Sequence, residues 1–151
     1  MKNIGVIGAH FCNEELFKKA FKVGKLIATN NFILICGGLS GVMEASCKGA
    51  KDAGGTTVGI LPGDSICDAN KYIDIPIATG MGHARNVIIA RSSDALIAVG
   101  GGYGTLSEIA LSLKMGKKVL TLDSWKIDGV INCKNIFAIE KFLKEIGKWE
   151  K

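Results

Sequence analysis

Residues 100–108, GGGYGTLSE, gather three consecutive glycines, a fourth at Gly104, a threonine and a glutamate where an apolar run gives way to helical spacing. Glycine lets backbone N–H groups converge and lets a ligand approach the main chain closely. A helix opening there adds unpaired N–H donors and the positive end of its dipole, the ordinary makings of a phosphate site. Glu108 admits two readings. Thr105-x-x-Glu108 is a capping-box spacing, in which the threonine caps the helix and the glutamate bonds back to the cap N–H. The same carboxyl group is a candidate for acid–base work.

Three more segments have the same anion-friendly character: GAH at 8–10, GGLSG at 37–41 and GMGHARN at 80–86. With the 100–105 loop they offer Gly8, Gly37, Gly38, Ser40, Gly41, Asn86, Gly101, Gly102, Tyr103, Gly104 and Thr105 to a phosphate or nucleotide. None spells G-x-G-x-x-G in a first βαβ unit, and none carries the Lys-Ser/Thr of a P-loop. Arg85 adds a cation. Only two of the nineteen basic residues are arginine, Arg85 and Arg91. Arg85 is expected in the first turn of a helix, where a cation opposes the dipole unless an anion is present. Its planar fork suits phosphate or carboxylate. Arg91 is expected to pair with a nearby carboxylate such as Asp94, and His83 either assists a phosphate or caps a helix. Ser107 reads as a solvated hydroxyl and Tyr103 as a loop aromatic covering the crevice.

The elements that must position these groups alternate. Apolar runs at 3–8, 32–38, 56–63, 94–101 and 117–123 predict strands, with a short irregular one at 72–80. Helical spacing predicts helices at 13–30, 40–55, 83–93, 105–116 and 135–148, the first capped by Asn13, the second capped by Ser40 and ended by Gly54. Strands that are continuously apolar call for a parallel sheet covered on both faces. The expectation is one α/β domain over 1–151, a doubly wound Rossmann-like sheet with its first three strands ordered 3-2-1 and the later ones beginning again beside the first. The order then reverses at strand 3–8, and the loops at 8–12 and 100–104 flank one crevice.

Composition narrows the setting. Net charge is +5, much of it from scattered lysines, and Lys18, Lys19, Lys22 and Lys25 read as a solvated helix face. Single-strand binding needs interleaved aromatics, and here Phe17 and Phe21 fall on the apolar face, so no nucleic-acid partner is expected. Five cysteines form no C-x-x-C pair and no metal-like spacing with His10 or His83, which points to no metal and a reducing compartment. The segment MKNIGVIGAH runs straight into a strand pattern without a signal-peptide core, and no apolar run approaches ~20 residues. A cytoplasmic protein without a membrane span is expected.

GGGYGTLSE together with GHARN resembles the Lonely Guy (LOG) family, once labelled "possible lysine decarboxylase", whose pattern is PGGxGTxxE with an Arg-Lys pair on the preceding helix. The resemblance extends over most of the chain, including CGGLSGVMEASCKGAKDAGGTTVGILPG at 36–63. It implies a phosphoribohydrolase that frees the base and ribose 5-phosphate from a cytokinin riboside 5′-monophosphate or an AMP-like nucleotide. On that likeness Gly101, Gly102, Gly104 and Thr105 hold the 5′-phosphate, while Arg85 and Glu108 match the catalytic pair and no cofactor is required. No lysine sits in a pyridoxal phosphate context, so the decarboxylase label finds no support. Gly100 replaces the motif's proline, Asn86 the lysine after the arginine, and Ser107 a frequent second acidic residue. In these respects the chain is similar to a compact subgroup, the molybdenum-cofactor carrier proteins, which bind a phosphorylated pterin. The alternative implied is a carrier for molybdenum cofactor or a nucleotide, without turnover. Both branches imply a homodimer or larger homo-oligomer.

Overall fold

The apolar runs pair edge to edge as seven parallel strands: β1 (Asn3–Gly8), β2 (Ile33–Cys36), β3 (Thr57–Leu61), β4 (Ile75–Ala78), β5 (Ala95–Val99), β6 (Lys118–Leu122) and β7 (Ile131–Cys133). Their order across the sheet is β4-β3-β2-β1-β5-β6-β7. The computed structural model describes residues 1–148; residues 149–151, the end of the expected domain, lie outside them. The expected reversal beside the first strand is present. β1 pairs β2 on one side, with Ile4 opposite Leu34, and β5 on the other, with Gly8 opposite Val99.

Successive side chains of a strand point to opposite faces, and both faces here are covered. Ile4, Val6, Leu34 and Ile97 pack under α1 (Glu14–Thr29), α2 (Val42–Asp52) and α5 (Ile136–Ile146). Ile7, Ile35, Leu96 and Ala98 pack with Ile89 of α3 (Asn86–Ser92) and Ile109 of α4 (Tyr103–Lys114). The result is the Rossmann-like doubly wound α/β fold.

α1 and α2 touch backbone to backbone. A Cβ on Gly24 would lie 1.8 Å from the Ser46 carbonyl oxygen, and one on Gly49 would lie 1.9 Å from that of Phe21. Neither oxygen belongs to a flexible side chain, so a methyl group must push the helices apart. Gly24→Ala is expected to destabilise the fold by about 3 kcal/mol, read from urea denaturation.

Local signals fare unevenly. Asn13 caps α1 as expected, its side chain accepting the Leu16 N–H at 2.8 Å. Gly54 follows α2 with φ +73°, the left-handed geometry that ends a helix. Ser40 does not cap α2: Gly41 occupies the cap position, and Ser40 Oγ donates to the His10 carbonyl at 3.2 Å. The single helix expected over 83–93 is a 3-10 turn, Gly82–Arg85, followed by α3, because Gly80 and Gly82 both turn left-handed before it. β7 had no clear apolar signature, since two of its three residues are exposed. Lys18 and Lys19 reach Glu14 and Glu15 one turn away at 3.2 and 3.1 Å on the exposed face of α1. Among the described residues no helix is long and apolar enough to cross a membrane.

Candidate functional site

Where the strand order reverses, β1 and β5 stay paired to their last residues, and the loops that leave their C-terminal ends part around a crevice, the usual ligand position in such sheets. It forms a pocket of about 490 Å³. Its wall includes Gly8 and His10 after β1, Gly37, Leu39 and Met43 around α2, Pro62 after β3, and His83, Arg85 and Asn86 before and at α3. Gly102, Tyr103, Gly104, Thr105 and Glu108 of the α4 segment complete it. Five segments that are far apart in sequence therefore meet in one place.

The remaining expected residues lie close by but do not line it. Gly38, with φ +79°, packs against Gly59 and Leu61, and its N–H donates to Cys36 Sγ at 3.3 Å. Ser40 and Gly41 line a smaller neighbouring hollow of about 270 Å³ that also includes His10. Gly101, with φ +106°, lies under Thr105: an added Cβ would meet Thr105 Oγ1 at 2.2 Å. That position shapes the loop without walling the pocket.

Glu108 shows where the helix reading fails. α4 begins at Tyr103, two residues before the expected start, and its cap position is Gly102, with no side-chain cap bond. The capping box of Thr105 and Glu108 is therefore not formed. Thr105 is instead buried in the first turn, and Glu108 lies one turn further along with its side chain 14% exposed. Burial pushes the Glu108 carboxyl up to about 7, with the nearby Arg85 charge pulling the other way.

Arg85 is buried, at 6% exposure, rather than on a surface. Its Nε donates to the Ile60 carbonyl at 2.9 Å, and its Nη1 donates to Asn86 Oδ1. Nη1 also stands 3.8 Å from Glu108 Oε1, an ion pair too long for a direct hydrogen bond. Burial draws the guanidinium below its ordinary value, opposed by the Glu108 carboxylate. Gly37 makes room for it, since a Cβ there would lie 2.5 Å from Arg85 Nη2. Arg91 does not pair with Asp94 among the described residues; Asp94 Oδ2 accepts the Asn3 N–H at 2.7 Å. His83 is exposed at the rim, and Tyr103 is 83% exposed at the mouth.

The raised carboxyl group makes stability depend on pH with a definite sign. Between its ordinary 4.5 and about 7 the folded chain binds more protons at Glu108 than the unfolded chain does. Stability from this group is therefore full at low pH and is lost as pH rises, by about 3 kcal/mol once both forms are ionised. Urea denaturation at pH 5 and pH 8 should show that decline in the native chain, and Glu108→Gln should lack it.

The N–H groups of Gly101, Gly102, Tyr103 and Gly104 meet no acceptor among the described residues. They crown the N-terminus of α4, and across the pocket stand Arg85 and a carboxyl group that changes charge near neutrality. Such an arrangement can hold an anion at one end and move a proton near the other. Sequence reasoning did not reach Ser124 and Trp125, which bond the loop from behind. They follow an expected strand in a stretch with no motif, so only the fold reveals them. No cluster of three or more His, Cys, Asp or Glu residues suited to a metal occurs among the described residues.

The model of the SLOG cluster4 family matches residues 1–146. A protein of Archaeoglobus fulgidus is 61% identical over 123 residues, covering 81% of this chain and 80% of that one. A cytokinin riboside 5′-monophosphate phosphoribohydrolase of Arabidopsis thaliana is 37% identical over 109 residues, covering 66% of this chain. The match spans only 47% of that enzyme's length. The solved structure of the molybdenum cofactor carrier protein from Chlamydomonas reinhardtii superposes with a TM-score of 0.88 at 40% identity, covering 96% of this chain and 97% of the carrier.

Proposed function

This chain belongs to the SLOG cluster4 family, and from that premise we propose that its crevice binds a nucleoside 5′-monophosphate and hydrolyses the N-glycosidic bond. The observation that carries the reading is the buried Arg85–Glu108 pair facing the open N–H groups of the α4 loop across one pocket. The 5′-phosphate sits at the start of α4, where Gly101, Gly102, Gly104 and Thr105 provide main-chain donors and the helix dipole favours its charge. Arg85, fixed by Ile60 and Asn86, orients the substrate and offsets its negative charge.

Glu108 then lies beside the sugar. In its ionised form the carboxylate stabilises the oxocarbenium-like transition state and accepts a proton from the attacking water. The water oxygen bonds to C1′ while the C1′–N bond breaks, its electron pair going to the base, which takes up a proton from solvent. A group that titrates near 7 is matched to this work at neutral pH. The test is release of free base from AMP and related monophosphates. Absence of release above the Glu108→Gln background removes this reading.

A second reading is supported by the near full-length likeness to the Chlamydomonas carrier. In it the same phosphate end grips a phosphorylated pterin as cargo, and Arg85 and Glu108 hold it without turnover. Asn86, Gly100 and Ser107, the departures from the hydrolase motif, favour that alternative. Tight binding of molybdenum cofactor with no base release from nucleotides would select it. In both cases the chain works as a single cytoplasmic domain in a homodimer or larger homo-oligomer, an assembly that sedimentation checks.

A further inference from the structure

β6 ends at Leu122, and the chain turns at Asp123, a non-glycine residue with φ +50°. Such a residue enters the left-handed region at a cost and stays there because its surroundings hold it. Asp123 is held from α1: its carboxylate pairs with Lys19, which also reaches Glu15 at 3.1 Å. The Asp123 hydrogen bond leads the causes that raise the Lys19 pKa above its ordinary value. The turn brings Ser124 and Trp125 back behind the glycine loop. Ser124 Oγ donates to the Gly100 carbonyl at 2.5 Å, and Trp125 Nε1 donates to the Gly102 carbonyl at 2.9 Å. The indole also stacks on Tyr103, with ring centroids 6.0 Å apart and planes 29° from parallel.

A trans peptide is planar, so its carbonyl and the N–H of the next residue point in opposite directions. Tying the Gly100 carbonyl to Ser124 directs the Gly101 N–H the other way, and tying the Gly102 carbonyl to Trp125 does the same for Tyr103. The Gly102 carbonyl also accepts the Leu106 N–H at 3.0 Å, the first bond of α4, so the helix already orients that peptide and Trp125 reinforces it. The Gly100 carbonyl has Ser124 as its partner among the described residues, and in so pliable a stretch its peptide plane is free to flip without that tie. We propose that Ser124 and Trp125 are positioning residues for the glycine loop: Ser124 fixes the peptide plane that carries the Gly101 N–H, Trp125 reinforces the hold of α4 on the Gly102 carbonyl, and the loop beside the crevice is thereby ordered before any ligand arrives, which sets its preference for a phosphorylated ligand. The inference rests on the reading that this crevice takes such a ligand. Preorganisation of this kind lowers the ordering cost of binding without adding a contact.

The experiment compares AMP with adenosine, by calorimetry, on the native chain, Ser124→Ala, Trp125→Phe and their double variant. Ser124→Thr keeps the hydroxyl as a rescue, and thermal melting confirms that each variant folds. The double variant is expected to lose roughly tenfold in AMP affinity while adenosine affinity stays within about twofold, and Ser124→Thr should retain the native preference. A merely structural role would weaken both ligands alike, and that result overturns the inference, as does unchanged AMP affinity in the double variant. If the native chain itself fails to prefer AMP over adenosine, the phosphate reading of the crevice falls and the inference falls with it.

Discussion

Glu108→Gln is expected to lower the proposed release of base from a nucleoside 5′-monophosphate by about 10²- to 10⁴-fold, the range of a lost general acid–base group. The amide keeps the shape of the side chain but cannot accept the proton of water or carry the negative charge that offsets an oxocarbenium ion. Binding should change less than turnover, because the proposed phosphate grip lies at the start of α4 and at Arg85, not at Glu108. In the native chain the rate should rise with pH through about 7, as the buried carboxyl group ionises. The measurement is a steady-state pH profile on both proteins. A native rate that falls as pH rises through 7, or a Gln variant as fast as the native chain, contradicts the assignment of Glu108 as the base.

Arg85→Ala has the second large effect, on binding and stability together. Removing the guanidinium takes away the donor to the Ile60 carbonyl and the cation that faces Glu108 in a buried setting. Breaking a buried pair from one side costs about 3 kcal/mol, because the other charge is left uncompensated. Here Glu108 has an escape, since it can take up a proton. The loss should therefore be larger at pH 8 than at pH 5.5, which two urea titrations would reveal. Without Arg85 the carboxyl group loses the pull that lowers its pKa, so it stays protonated to higher pH. The same variant should lose the thermal stabilisation that AMP gives the native chain, about 2.7 kcal/mol at a ligand concentration of one hundred times Kd. An Arg85→Ala chain that melts higher with AMP to the native extent would remove Arg85 from the site.

Much of this was legible in the order of residues. Continuously apolar runs separated by helical spacing determined a parallel sheet, and the chain connectivity placed the reversal beside β1, where the crevice lies. Those signals are short-range: a run of apolar residues, a glycine at a strand end and an Asn before a helix act through their immediate neighbours. Membership of the family was likewise carried by contiguous motifs, GGGYGTLSE and GHARN.

The identity of Glu108 as buried carboxyl or helix cap could not be read that way. Thr105-x-x-Glu108 is a valid capping box until the start of α4 moves to Tyr103. Whether its carboxyl group is ionised depends on burial among segments from separate parts of the chain and on an arginine brought up by the turn before α3. Arg85 reads in sequence as an anion-binding candidate at a helix start, and its burial follows only when the Ile60 carbonyl and Gly37 close around it. Ser124 and Trp125 carry no motif, and their bonds to the glycine loop exist only because Asp123 turns the chain back. The sequence by itself determined the layered α/β sheet, the place of the crevice and the glycine-rich loops around it, all set by local periodicity and glycine. The tertiary structure alone decided the charge state and partners of the groups inside it, because desolvation and Coulomb interactions depend on distance in space and not on separation along the chain.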